Sequence, residues 1–184
     1  MPTVPVPAMR TAVSDGPDGL TFVVPSRRQW FAMLFLPVWL VGWLFGEVFA
    51  VRGLISGKGP SLFLLVWLTM WTLGGGLALL GWLWMLAGRE RLVVKPGVLV
   101  HRLELFGLHR TREYDLSQVR NLKVSPESFN PWNMGSSFRM WGLGGGVVSF
   151  DYGARTIRVA ASVDEAEGRM IVNRIQERYA IAAG

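Results

Sequence analysis

Cysteine is absent, which excludes disulfides, thiolate metal sites and cysteine nucleophiles and leaves the redox compartment open. Histidine is nearly absent: His101 and His109 are the only two, too few for a histidine-rich metal site. They fall on separate predicted strands with no matched Ser, Asp or Cys set, so each reads as a structural or surface histidine. The triple glycines Gly74–Gly76 and Gly144–Gly146 lack the lysine and the strand–helix context of a phosphate loop. No catalytic residue, metal ligand or cofactor is therefore assigned, and the chain is not expected to be an enzyme or to take a small-molecule substrate. Charge is also scarce. Asp, Glu, Lys and Arg make up 17% of the chain, against about a quarter in ordinary soluble proteins. Between Trp30 and Gly88 only Glu47, Arg52 and Lys58 carry it. A net charge of +6 without a basic stripe does not suggest nucleic acid. It fits positive charge facing an anionic leaflet. The first 19 residues hold prolines and no apolar run, so no cleaved leader is expected.

What the chain has instead is apolar length. No charge lies between Gln29 and Gly46, and apolar character resumes after Glu47 as far as Val51. That gives about 22 residues, enough for a helix across a ~30 Å hydrocarbon core. A second uncharged stretch, Gly59 to Gly88, contains Leu62–Leu86. Together they predict a transmembrane helical hairpin over 29–88, with spans 29–51 and 61–87 joined by the short RGLISGKGP. Arg27, Arg28 and Trp30 mark the start of the first span and Trp82, Trp84, Arg89 and Arg91 the end of the second, as membrane anchors at headgroup level. Basic residues are concentrated on the side of the termini, so positive-inside bias puts both termini in the cytoplasm. Gly42 with Gly46, and Gly74 with Ala78, are small-residue pairs that let helices approach closely. They serve either the packing of the hairpin on itself or a partner helix. Glu47 is expected to be an interfacial, snorkelling carboxylate. With only Thr69 and Thr72 as further polar groups in the spans, transport by this chain is not expected.

Outside the hairpin the pattern changes to period two. Residues 1–19 are expected to be an extended proline-rich arm, either a mobile tail or an arm on a partner. Residues 20–28 should hold a first strand, LTFVVP. After the hairpin, 89–184 should hold Arg89–Lys95, Val98–Leu105 and Leu108–Asp115 as a meander through Pro96-Gly97 and Phe106-Gly107 turns. Val119–Val124, Gly146–Asp151 and Arg155–Ala160 follow, making seven strands. Ser162 with Glu165 reads as a capping box opening a helix over 163–179. Its apolar face is Val163, Ala166, Met170, Ile171, Ile175 and Tyr179. The fold class is thus a membrane α hairpin plus a mainly-β domain.

GVVSFDYGARTIRVAASVDEAEGRMIVNRIQ, about 30 residues ending in an Asp/Glu-rich helix start, resembles the closing strand pair and helix of the bacterial pleckstrin-homology-like membrane proteins. The resemblance implies a seven-strand barrel closed by a C-terminal helix, with the two-span hairpin inserted between its first and second strands. It further implies a bacterial inner-membrane location. The insertion would put Arg27, Arg28, Arg89 and Arg91 at the membrane surface, where eukaryotic relatives read phosphoinositides, so here they are topology determinants and anionic-lipid contacts.

The segment over 125–145 carries Phe129, Trp132, Met134, Phe138, Met140 and Trp141 without strand or helix period, and long aperiodic loops in compact domains are usually functional. Trp, Met and Phe are enriched in interface cores. Three occupants are open to the loop: its own barrel, another protein, or the bilayer. The functional expectation is a non-enzymatic, membrane-anchored interaction module, an accessory or scaffold subunit of a larger inner-membrane complex (respiratory, photosynthetic, secretion or envelope). Its partners would be integral membrane subunits and anionic lipids. The alternative is an anionic-lipid sensor using the juxtamembrane arginines and loop tryptophans.

Overall fold

A computed structural model describes residues 9–17, 19–57, 61–125 and 146–179. They divide into two compact units, one from Met1–Arg27 with Ala87–Gly184 and the other from Arg28–Leu86.

The helical unit is built on α1 (Trp30–Ile55) and α2 (Ser61–Ala87). Each is long and apolar enough to cross a membrane, and each exposes large side chains such as Phe31, Phe45, Phe49, Leu62 and Phe63. Pro37 lies inside α1, where its missing N–H and ring would ordinarily kink a helix.

The β unit carries β1 (Ala12–Gly16), β2 (Gly19–Pro25), β3 (Arg89–Lys95), β4 (Val98–Leu105), β5 (Leu108–Asp115), β6 (Val119–Val124), β7 (Val148–Tyr152), β8 (Arg155–Val159) and α3 (Glu165–Tyr179). The seven expected strand runs each contain a strand, and β1 is an eighth, in a segment expected to be an extended arm. All ladders are antiparallel, in the orders β1-β2-β3-β4-β5 and β6-β7-β8. The closed barrel expected from the sequence is not formed by the described strands. No ladder joins β5 to β6, because a 3-10 turn at Leu116–Gln118, held by Asp115 accepting the Ser117 amide at 2.9 Å, takes the chain out of the first sheet.

Period two decides the core. Leu20, Phe22 and Val24 from β2, Leu92 and Val94 from β3, Leu99 and Tyr114 face Val119, Leu122, Val148, Phe150 and Val159 across one apolar interior. Tyr114 packs edge-on against Phe150 and Tyr152 at 5.3 and 5.2 Å, a favoured aromatic geometry. Ile171, Val172 and Ile175 of α3 complete the cluster.

Two details of α3 differ from expectation. Asp164, not Ser162, caps it: Asp164 Oδ1 accepts the Glu167 amide at 2.8 Å, while Ser162 sits in the preceding turn. Val163 is buried just before the cap, so its burial sets where the helix can begin. Ala166 lies on the exposed face, and Glu167, Gly168 and Val172 occupy the buried one.

Candidate functional site

In the helical unit, indoles bridge the two helices. Trp39, Trp43, Trp71 and Trp67 stack in series, with centroid separations of 5.7, 4.8 and 4.4 Å. The Trp71 indole donates to the Trp43 carbonyl at 3.3 Å and that of Trp82 to the Met33 carbonyl at 3.1 Å, using second lone pairs that the helix ladder leaves free. A Cβ on Gly46 would meet the Trp71 ring at 3.3 Å and one on Gly74 the Trp43 ring at 3.6 Å. Ala78 is buried, whereas a Cβ on Gly42 would meet nothing within 4 Å. The tightest approach is at Gly75, where a Cβ would overlap the Trp43 ring at 1.3 Å. The sequence marks Gly74 as a packing glycine through its spacing to Ala78 but not Gly75, because a ring pressed on a glycine leaves no periodic signal.

Glu47 and Thr72 add a side-chain to side-chain hydrogen bond between the helices. The Thr72 hydroxyl lies 2.5 Å from Glu47 Oε1 and 2.8 Å from its own Leu68 carbonyl. It has one hydrogen to give, so it satisfies one acceptor at a time.

The chain leaves and re-enters the β unit through two adjacent strands. Leu20↔Val94 through Pro25↔Arg89 pair β2 with β3, and the Ser26 amide donates to the Gly88 carbonyl at 3.1 Å, extending the pairing to the mouth of the insertion. Arg27, Arg28 and Arg89 are exposed there. Arg91 and Arg102 both lie 3.0 Å from Glu104. Trp30 is exposed, Trp82 half-buried and Trp84 buried.

Among the described residues of the β unit, the most buried charged side chain is Glu90. Alternation with Leu92 and Val94 puts it on the inner face of β3, and His101 of β4, between Leu99 and Leu103, lies diagonally across the same face. Glu90 Oε1 accepts from His101 Nε2 at 2.8 Å and from the Ala160 amide at 2.6 Å, and Oε2 accepts from the Ala161 amide at 2.9 Å. Burial pushes the Glu90 carboxyl up. The His101 hydrogen bond, the imidazole charge and the two amides together outweigh it and leave the group below its ordinary value. The carboxylate thus holds the turn after β8 in place, where Ala160 is left-handed at φ 62°, a backbone state costly for a residue with a Cβ. His101 stands out in the sequence as one of two histidines, whereas Glu90 does not. The missed signal was that period two in RERLVVK sends Glu90 inward with Leu92 and Val94.

Glu167 is a second buried carboxylate, accepting the Thr11 amide at 3.4 Å and the Thr11 hydroxyl at 3.3 Å, together with the Arg10 amide. With Arg178 reaching Asp15 and the Gly16 carbonyl, it lays β1 against the fold.

Phe129, Trp132, Met134, Phe138, Met140 and Trp141 lie outside the described residues. The chain on either side of them is closely tied. The Ser125 amide donates to the Val147 carbonyl at 2.8 Å, the Ser125 and Ser149 hydroxyls lie 2.6 Å apart, and the Val147 amide donates to the Ala160 carbonyl at 3.3 Å. A Cβ on Gly146 would stand 1.5 Å from the Val159 carbonyl oxygen. Both ends of the aromatic segment are therefore rooted beside the turn that Glu90 holds.

A small cavity of about 340 Å³ is lined by Ser117, Gln118, Arg120, Asp151 and Gly153. Hydrogen bonds from Thr156 at 2.7 Å and Asn121 at 2.9 Å hold the Asp151 carboxyl below its ordinary range and occupy both oxygens. Among the described residues no three His, Cys, Asp or Glu side chains are grouped to hold a metal. The chain matches no known protein family, no curated protein and no solved structure.

Proposed function

We propose that the chain is a non-enzymatic interaction module anchored in a bacterial cytoplasmic membrane, an accessory or scaffold subunit of a larger inner-membrane complex. The observation that carries this reading is the insertion of two apolar, membrane-length helices between the paired strands β2 and β3. A β unit so interrupted is connected to the membrane-length helices by two chain crossings. What supports a pleckstrin-homology-like relationship is that β2–β8 supply seven antiparallel strands followed by the helix α3, β1 being an additional strand. The aromatic residues of segment 125–145 are the proposed contact with an integral membrane partner. The basic excess at Arg27, Arg28, Arg89, Arg91 and Lys95 favours a cytoplasmic β unit. Purification from native membranes in mild detergent, followed by native mass measurement, is expected to yield a heteromeric complex. Recovery of only the free monomer would refute the proposal.

A second reading, an anionic-lipid sensor, rests on the exposure of Arg27, Arg28 and Arg89, each worth on the order of 1 kcal/mol at an anionic surface. It requires that the rate of association with anionic vesicles, measured on the detergent-solubilised chain, fall with salt.

A further inference from the structure

Glu47 was expected to be interfacial, and its position in α1 argues otherwise. It stands eight residues before Ile55, the last residue of the helix, roughly 12 Å along the axis. Arg52 lies between them and is the natural headgroup-level residue, so Glu47 is about 7.5 Å deeper. Its Oε1 meets Thr72, while among the described residues no hydrogen bond or ion pair reaches Oε2. The side chain is half-buried and Thr72 is exposed, so the pair opens onto the outer flank of the hairpin. On the same flank of α2, Thr69 and Gly76 are one turn either side of Thr72 and exposed, and a Cβ on Gly76 would meet nothing within 4 Å.

Resting on the membrane-scaffold reading, we infer that the Glu47–Thr72 flank is a docking site for a transmembrane helix of a partner subunit that brings an arginine or lysine to the depth of Glu47. Charge complementarity selects this occupant. An acidic group in hydrocarbon calls for a cationic or donor partner, and the hydroxyl and glycine positions of α2 admit a helix at close range. A second copy of this chain cannot supply that cation. Glu47 and Arg52 are the only charges in α1, α2 has none, and parallel copies would hold Arg52 a turn and a half nearer the surface. The cation is therefore foreign to this sequence.

The test uses the full chain in native membranes, with a photo-crosslinking residue at Thr69 on the flank or at Phe31 as an off-flank control. Glu47→Gln, which keeps a hydrogen-bonding group beside Thr72 but removes the charge, is compared in the same background. The expected result is a Thr69 crosslink that maps by peptide mass spectrometry to a partner transmembrane helix within one turn of an Arg or Lys. It should fall at least tenfold in Glu47→Gln and return when that variant is paired with a partner whose cation is changed to Gln. If the crosslink survives Glu47→Gln unchanged, or joins two copies of this chain, the docking inference is overturned while the scaffold reading stands. If the wild-type chain crosslinks to no protein and purifies alone, both are overturned.

Discussion

Replacing Glu90 by alanine strips three donors of their acceptor at once. The Ala160 amide is buried with its residue 2% exposed, and the His101 side chain is 13% exposed, so water cannot fully take over either bond. Each buried donor left without its acceptor costs about 1–3 kcal/mol, so abandoning all three costs about 3 kcal/mol or more. The left-handed Ala160 turn would lose the bonds that hold it, so the loss should be local to the β8–α3 connection and to β3–β4. Hydrogen exchange read by mass spectrometry on the full chain in micelles would resolve it. Peptides covering Ala160 and Ala161 should lose protection by roughly 10²–10³-fold, since about 1.4 kcal/mol is a factor of ten, while α1 and α2 peptides stay unchanged. Glu90→Gln keeps one oxygen acceptor and should lose about 2 kcal/mol. The pH dependence has a definite sign. A carboxyl held below its ordinary value near 4.5 contributes stability fully present above that value and lost as pH falls through the folded value. The acid limb of a urea-midpoint profile should therefore flatten in Glu90→Gln. A loss of protection under tenfold in Glu90→Ala, or an unchanged acid limb in Glu90→Gln, would refute the clamp.

Gly146→Ala puts a methyl into the Val159 carbonyl, so β8 must shift; a loss of about 1–3 kcal/mol in the β-unit urea midpoint is expected, and a neutral result would mean that the backbone relaxes freely. Glu167→Gln weakens the hold on Arg10 and Thr11, and limited proteolysis should then cut near β1 several-fold faster, with the rest of the β unit still resistant. Gly75→Val should disrupt the Trp43–Trp71 stack and shift the tryptophan emission of the hairpin, whereas Gly42→Val, on an open position, should leave the emission unchanged.

The hairpin was legible because long uncharged apolar runs carry their own meaning: a helix satisfies its backbone internally, and lipid asks nothing further of its side chains. Most strands were legible for a similar reason, since Leu20–Pro25, Arg89–Lys95 and Val98–Leu105 alternate in register with one apolar core. β1 was not. AVSDG has no apolar alternation, and its place depends on Glu167 and Arg178, more than 150 residues away in sequence. The cap of α3 escaped for a subtler reason: Ser162 and Asp164 can both cap, and only the burial of Val163 chooses between them.

Composition, periodicity and turn chemistry by themselves determined two membrane-length helices, a mainly-β remainder and a closing amphipathic helix, because each is a local property of consecutive residues. Tertiary structure alone decided that the strands make two sheets, that Glu90 meets His101 and the Ala160 turn, and that Glu47 faces Thr72 while Gly75 receives Trp43. Those pairings depend on which distant groups share one small volume, where an unpaired charge or an extra methyl is costly, and no local pattern records that cost.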